Sequence, residues 1–220
     1  FPKELPINKD LAYFLGIYAA EGSIYNTCIT ITNKDKEIMD RAIKFLDSLN
    51  IYKNQKINKH SLRVYCKGLV RFLHNTCGEP SDIKGKGKLC RNKKVPEFVF
   101  GWNKELIGEF IKGCFDGDGH VSKKTVEYTS TSKMLIGGLV KLLEMLNIEF
   151  LIREKNNAFN IIIRRTNIEK FNEYIGFECK RKSKRLNKLI QDYKSQTYRP
   201  EFINNKLNIS SKLSKTIKQN

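Results

Sequence analysis

The sequence predicts an α+β protein made of two α-β-β-α-β-β-α repeats related by a pseudo-twofold. Three observations carry that expectation. Two segments, Phe14 to Ile24 (FLGIYAAEGSI) and Ile111 to Val121 (IKGCFDGDGHV), match at a constant offset of 97 residues. The offset holds without a gap from Gly16/Gly113 through Thr32/Thr129 to Leu49-Asn50-Ile51 over Leu146-Asn147-Ile148. Within each copy the apolar pattern switches between the helical and the strand period, with turn residues at the switches.

Each repeat opens with a helix, 9–21 and 104–118. In the first, apolar Leu11, Phe14, Leu15 and Tyr18 recur at three and four residues. Gly22 and Gly119 end these helices, a residue type suited to a left-handed C-terminal cap. The following stretches, SIYNTCITIT and HVSKKTVEYTS, alternate and are rich in Ile, Val, Thr and Tyr, so they read as strands. Second amphipathic helices follow, KEIMDRAIKFLDSLN and KMLIGGLVKLLEMLN. Hairpins come next, with turn signals at Asn58-Lys59-His60 and Asn156-Asn157. Short helices near LVRFLHNTCG and IEKFNEYIG close the repeats. The expected layout is a first repeat over 1–78, a basic glycine-spaced linker over 79–102, a second repeat over 103–179 and a basic C-terminal extension over 180–220.

Bulk properties narrow the partner. With 41 Lys+Arg against 23 Asp+Glu, the net charge is +18. Charge of that size points to a polyanion, nucleic acid before membrane surface, because each neutralised phosphate releases a counterion. No apolar run approaches the length of a transmembrane helix, and the first residues, FPKELPINKD, have no apolar signal core. The six cysteines form no CxxC pair, which argues against a zinc site or a disulfide framework and for reduced thiols in an intracellular protein of cytoplasm, nucleoid or organelle. The absence of an initiator Met suggests a processed or trimmed chain.

The repeated motif has a physical reading of its own. Gly16 and Ala20 share one helix face, and Gly113 and Gly117 share another. Such faces let two helices approach closely as a pseudo-twofold pair, although one glycine alone would mark only local packing. Glu21 and Asp118 stand one residue before the terminal glycines, so paired helices would bring both carboxylates out at one end. That end carries two negative helix dipoles. A divalent cation is the simplest compensation, and oxygen ligands suit Mg²⁺, with Mn²⁺ or Ca²⁺ able to substitute for binding. The ligand set would be the carboxylates of Glu21 and Asp118 with the backbone carbonyls of Ala20 and Gly117. A strongly cationic protein with such a site points to phosphodiester chemistry.

These residues resemble the LAGLIDADG homing endonucleases of the single-chain, two-motif type. The signatures are Phe14-Leu15-Gly16-Ile17-Tyr18-Ala19-Ala20-Glu21-Gly22 and Ile111-Lys112-Gly113-Cys114-Phe115-Asp116-Gly117-Asp118-Gly119. The resemblance covers roughly residues 8 to 190, and VPEFVFGWNKELIGEFIKGCFDGDG resembles the joint between halves in single-chain, intein-related members. It implies a monomer with a central helix pair and two antiparallel sheets forming a saddle over double-stranded DNA. It implies that Glu21 and Asp118 bind the catalytic metal for a double-strand break in a long, asymmetric target. It places a polar residue at the end of each second strand, here Asn33 beside Lys34, and Ser130, which is short for that role. It also places a basic catalytic residue after each half: Lys94, with Lys93 close behind, and Lys180, with Lys182 as competitor. Asp116 faces Ala19 in the other copy, so it is not a shared ligand.

Candidate DNA readers alternate along the strands: Tyr25, Thr27, Thr30 and Thr32, then Ser122, Lys124, Glu127 and Thr129. Which strand face meets DNA is open from the sequence. No protein-splicing block is evident: the chain starts with Phe and ends Lys218-Gln219-Asn220. The expectation is a free-standing endonuclease, intron-encoded or cut from a larger host. Two alternatives remain: a non-cleaving maturase or regulator on the same scaffold, and a nucleoid structural protein, for which a duplicated acid motif has no use.

Overall fold

The computed structural model describes residues 2, 4–25, 27–51, 53–54, 60–78 and 92–197; the side chains of Tyr25, Lys53, Asn54, Gln196 and Thr197 lie outside that description. The first half runs α1 (Lys9–Glu21), β1 (Gly22–Tyr25), β2 (Cys28–Thr32), α2 (Lys36–Ser48), β3 (Lys53–Asn54), β4 (Ser61–Tyr65) and α3 (Lys67–Cys77). A 3-10 turn (Glu97–Gly101) leads to α4 (Lys104–Asp118), β5 (Gly119–Val121), β6 (Thr125–Ser130), α5 (Lys133–Met145), β7 (Leu151–Lys155), β8 (Ala158–Arg164), α6 (Thr166–Tyr174) and α7 (Lys180–Thr197). The protein is therefore α+β, with two antiparallel four-stranded sheets of identical order, β1-β2-β4-β3 and β5-β6-β8-β7.

The centre is the α1–α4 pair. A Cβ at Gly16 would lie 2.1 Å from the Phe110 carbonyl oxygen, and one at Gly113 would lie 2.3 Å from that of Tyr13. Tyr13 and Phe110 are themselves 97 positions apart, so the crossing is reciprocal. Any side chain at either glycine would push the helix backbones apart. α1 has no polar face: Leu11 through Ala19 are all buried, as expected for a helix enclosed on every side. Asn8 and Asn103 start the two helices, each accepting a hydrogen bond of 2.9 Å from the backbone N–H three residues on.

The left-handed caps are not at Gly22 and Gly119. Both are extended, with φ of −73° and −76°, and each begins a strand. Glycine is required there for space instead, since a Cβ would fall 2.5 Å from the Tyr18 carbonyl oxygen and 2.3 Å from that of Phe115. The left-handed residues are Asn50 and Asn147, with φ of 52° and 55°, closing α2 and α5. The next amides, of Ile51 and Ile148, donate back to the Leu46 and Leu143 carbonyls at 3.2 and 3.0 Å, a Schellman closure that explains the repeated Leu-Asn-Ile. Asn156 and Asn157, φ 53° and 60°, form the two-residue turn of the β7–β8 hairpin. The expected turn at Asn58-Lys59 and the tail from Pro200 lie outside the described residues, as do residues 79–91 of the expected linker.

In both sheets one face packs on the helices. Ile29, Ile31, Leu62 and Val64 fill it in the first, and Val126, Tyr128, Ile161 and Ile163 in the second. The alternate positions, including Thr30, Thr32, Arg63, Glu127, Thr129 and Asn160, therefore point away from the helices.

Candidate active site

α1 and α4 end side by side, and their last residues are Glu21 and Asp118. A Cβ on Gly117 would lie 2.5 Å from that of Ala20 and 3.0 Å from Glu21 Cγ, so the two helix ends touch through the small-residue faces. Glu21 is half-buried and accepts a 3.0 Å hydrogen bond from Asn33 Nδ2. Burial and the neighbouring Asp118 charge push its carboxyl above the usual carboxylate range, against the Asn33 hydrogen bond and the Lys182 and Lys93 charges. Asp118 is exposed as a residue, yet desolvation by the protein packed around it raises its carboxyl too, opposed by Lys93 and Lys182.

Two buried lysines hold the helix ends. Lys93 Nζ donates to the carbonyls of Tyr18 and Ala20, both at 3.0 Å. Lys182 Nζ donates to those of Phe115, Asp116 and Gly117, at 2.9, 2.5 and 3.1 Å. Tyr18 and Phe115 are equivalent positions, as are Ala20 and Gly117. The segment following each repeat thus places one ammonium on the negative end of that repeat's central helix. Lys94 and Lys180, the lysines favoured from sequence, are exposed and stand elsewhere. Lys94 turns outward because its own amide is tied to the Cys77 carbonyl at 2.8 Å, while the Ser132 hydroxyl holds the Lys93 carbonyl. Lys180 turns outward because it starts α7, whose buried stripe is Lys182, Leu186 and Leu189.

That stripe was readable. Cys179, Lys182, Leu186 and Leu189 follow helical spacing, and Lys93 stands two residues from Val95 in extended chain, so both lysines lie on apolar faces.

Asp116 plays no part in the acid pair. Its oxygens accept from the Tyr13 hydroxyl at 2.9 Å and from the Glu178 and Cys179 amides at 2.9 and 3.1 Å. Burial pushes its pKa up to about 6 despite those bonds. It fastens the start of α7 to α4, which is what sets Lys182 in place.

The expected DNA readers separate into groups. Thr30 and Thr32 lie on the outward face beside Arg63, which sequence reasoning overlooked. Tyr25 pairs with Cys28 through the backbone, and Thr27 is exposed in the β1–β2 turn with Lys34 exposed beyond β2. Asn33 is not free to read bases: its amide serves Glu21 and its oxygen caps the Asp35 amide at 2.9 Å. Ser130 accepts from the Ser132 amide at 3.2 Å. Ser122 is spent on its turn, bonding Thr125 and the Lys124 amide, while the Lys124 side chain is exposed. Glu127 and Thr129 share an outward network in which Asn160 donates to Glu127 at 2.8 Å and accepts from Thr129 at 3.2 Å. Burial raises the Glu127 carboxyl, but hydrogen bonds from Thr125 and Asn160 outweigh it and hold it below its usual range.

The donor set fits a hard divalent ion: two carboxylates and the Ala20 and Gly117 carbonyls, although those carbonyls already accept from lysine. Among the described residues no group of three or more His, Cys, Asp or Glu gathers to hold a metal, so at these helix ends the side-chain ligands are the two carboxylates. The described cysteines, 28, 66, 77, 114 and 179, are free thiols. Among the described residues no helix is long and apolar enough to cross a membrane.

The LAGLIDADG-like domain family matches twice, over residues 8–76 and 105–176. The chain belongs to the LAGLIDADG family. It is 36% identical over 197 residues to a DNA-directed RNA polymerase subunit Rpo1C of Methanocaldococcus jannaschii, covering 86% of this chain and 22% of that protein. It is 32% identical over 214 residues to a probable translation initiation factor IF-2 of the same organism, covering 90% of this chain and 18% of that one. The chain therefore spans about a fifth of the length of these curated relatives. Among solved structures, the homing endonuclease I-DmoI in complex with DNA and Mn superposes with a TM-score of 0.56 at 19% identity, over 77% of this chain and 97% of that one. Full-length DUF199/WhiA from Thermatoga maritima superposes with a TM-score of 0.62 at 15% identity, over 97% of this chain and 69% of that one. These two likenesses concern the fold alone.

Proposed function

We propose that this LAGLIDADG protein is a site-specific, divalent-metal-dependent DNA endonuclease that acts as a monomer and breaks both strands of a long target. The observation that carries the reading is the meeting of Glu21 and Asp118 at the ends of the reciprocally crossed helices α1 and α4. A bound Mg²⁺, or Mn²⁺ in its place, supplies Lewis-acid stabilisation of charge developing on a phosphate. The chain supplies the rest. Glu21 and Asp118 hold the ion, and Asn33 orients Glu21. Lys93 and Lys182 fix the helix ends and hold positive potential beside the reacting phosphates. Thr30, Thr32, Arg63, Glu127 and Thr129, on the outward sheet faces, contact base edges. The net charge of +18 supports duplex DNA as the partner.

The two curated relatives carry names for unrelated tasks, yet each shares this same stretch as about a fifth of its length. That pattern supports a mobile insertion rather than polymerase or initiation-factor chemistry, and it agrees with homing. A second reading, a non-cleaving nucleic-acid binder on the same scaffold, draws on one observation: lysines already occupy the Ala20 and Gly117 carbonyls.

One experiment separates the two. A random duplex library is exposed to the protein with Mg²⁺ or with chelator, and cut and bound molecules are sequenced. The endonuclease reading expects cut sites only with metal, and loss of cutting by at least about 10²-fold in Glu21→Gln or Asp118→Asn with binding retained. Bound but uncut DNA from the unmodified protein supports the binder. Full cutting by the double variant overturns the assignment of the acids.

A further inference from the structure

Most of α7 lies beyond the contacts that serve the acid pair. Its first turn is fastened beside the acids, through Asp116 to the Glu178 and Cys179 amides and through Lys182 to the end of α4. Near its last turns, the Tyr193 hydroxyl donates to the Lys124 carbonyl at 2.7 Å, in the β5–β6 turn. Between these ties α7 packs against β5, an edge strand of the second sheet. It therefore runs from the acid pair to the far end of the β5–β6 hairpin. The space between helix and hairpin is a cleft of about 1010 Å³, lined by His120, Lys123, Lys124, Arg185, Lys188 and Tyr193 among others.

The charge of this cleft is unspent. Two arginines elsewhere are neutralised by acids: Arg41 pairs with Asp10, Glu109 and Glu178, and Arg181 with Asp35. Among the described residues none of Lys123, Lys124, Arg185 and Lys188 forms an ion pair. Arg185 and Lys188 are three apart and so share a helix face, at the edge of the buried Leu186 and Leu189 stripe, and they line the cleft with the hairpin lysines. One acid, Asp192, lies in the lining. Holding four unpaired cations around one cleft costs mutual repulsion, which a polyanion removes. His120 belongs at once to this cleft and to the outward face of β5, through its pairing with Glu127, so the cleft opens onto the face that would meet DNA.

We propose that the α7–hairpin cleft is a phosphate-backbone clamp for double-stranded DNA, extending the binding surface of the second half along one strand of the target. The proposal rests on the reading of the protein as a duplex-DNA binder. Backbone contacts set position and affinity without reading sequence. Lysine and arginine on a fixed helix suit that task, and because α7 is tied to α4 at Lys182, seating the backbone there also sets the distance from clamp to acids.

The test compares two neighbouring cations. Arg185→Gln and Lys184→Gln remove the same charge from adjacent exposed positions, but only Arg185 lines the cleft. Binding of an arbitrary duplex of about three helical turns is measured in chelator from low to moderate salt. For each phosphate that the protein no longer neutralises, the log–log salt slope falls by about 0.9. The clamp expects a slope less steep by about 0.9 for Arg185→Gln, about twice that for Arg185→Gln with Lys188→Gln, and no resolved change for Lys184→Gln. Equal changes for Arg185→Gln and Lys184→Gln would mean a diffuse field and overturn the clamp, while duplex binding itself stands. An equal weakening toward a single-stranded oligonucleotide overturns the duplex as its ligand. Absence of any duplex binding by the unmodified protein overturns the clamp together with the endonuclease reading.

Discussion

The two acids occupy equivalent positions on equivalent helices, yet their surroundings differ. Glu21 is half-buried and oriented by the Asn33 amide at 3.0 Å. Asp118 is one methylene shorter and more open, and among the described residues no side chain donates to it. The residue equivalent to Asn33 is Ser130, whose hydroxyl keeps only the turn-capping half of the asparagine's work. Duplication has thus preserved what the backbone needs, namely the glycine crossing, the Leu-Asn-Ile closures and a lysine on each helix end. It has let the polar groups beside the acids diverge. A site with one oriented and one unoriented carboxylate is expected to treat the two target strands unequally.

The largest effect on that comparison comes from the lysines. Lys182 serves three carbonyls and Lys93 serves two, and both are buried. A hydrogen bond from a charged donor contributes about 1.5–3 kcal/mol net, offset here by the cost of burying the ammonium. Lys182→Met is expected to lower stability by about 2–3 kcal/mol, and Lys93→Met by less. In a domain of this size that is a fall in Tm of roughly 4–12 °C. Lys94→Met and Lys180→Met, at the exposed neighbours, should stay within about 0.5 kcal/mol. Thermal melts of the four variants check this, and equal losses at Lys93 and Lys94 would remove the distinction between inside and outside lysines.

Much of this was legible beforehand because it is local or repeated. The close helix pair follows from two small residues four apart, found twice. The acid pair follows from its place before the terminal glycine. What escaped the sequence was decided by tertiary contact. Lys93 and Lys94 are chemically alike, and only the Ser132 and Cys77 bonds to their backbone settle which turns inward. Gly22 looked like a cap because its neighbour in space, the Tyr18 ring and carbonyl, is not visible in a linear reading. The direction in which Thr30 and Glu127 point depends on strand register, which mixed polar and apolar alternation left undecided.

Asn33 gives a smaller and sharper test. Asn33→Ser copies the second half into the first. It removes one hydrogen bond, worth about 0.5–1.5 kcal/mol, from a carboxylate that the bond helps keep ionised. Cleavage of one strand should slow by roughly 2–10-fold, with the other little changed, as read on duplexes labelled on either strand. If both strands slow together, Asn33 supports the fold of the site rather than the setting of Glu21.

The smallest expected effect is on stability, and its sign is informative. Burial and the neighbouring charge raise Glu21, and burial raises Asp118, so both have folded pKa values above their unfolded ones. The folded state then binds more protons than the unfolded state between those values. Stability from the pair is full below the unfolded carboxylate range and falls as pH rises through the raised folded values, flattening above them. Asp118→Asn removes one of the two charges. In chelator at neutral pH it should raise Tm slightly, a gain kept small because Asp118 opens to solvent. Mg²⁺ or Ca²⁺ should raise the Tm of the unmodified protein more than that of the variant, because an ion held by both acids stabilises the folded state by mass action. Four melts decide it: each protein, with metal and with chelator. A lower Tm for Asp118→Asn in chelator, with equal metal shifts in both proteins, would mean that Lys93 and Lys182 already satisfy the acids. The helix ends would then need no cation, which is the condition under which the non-cleaving reading gains.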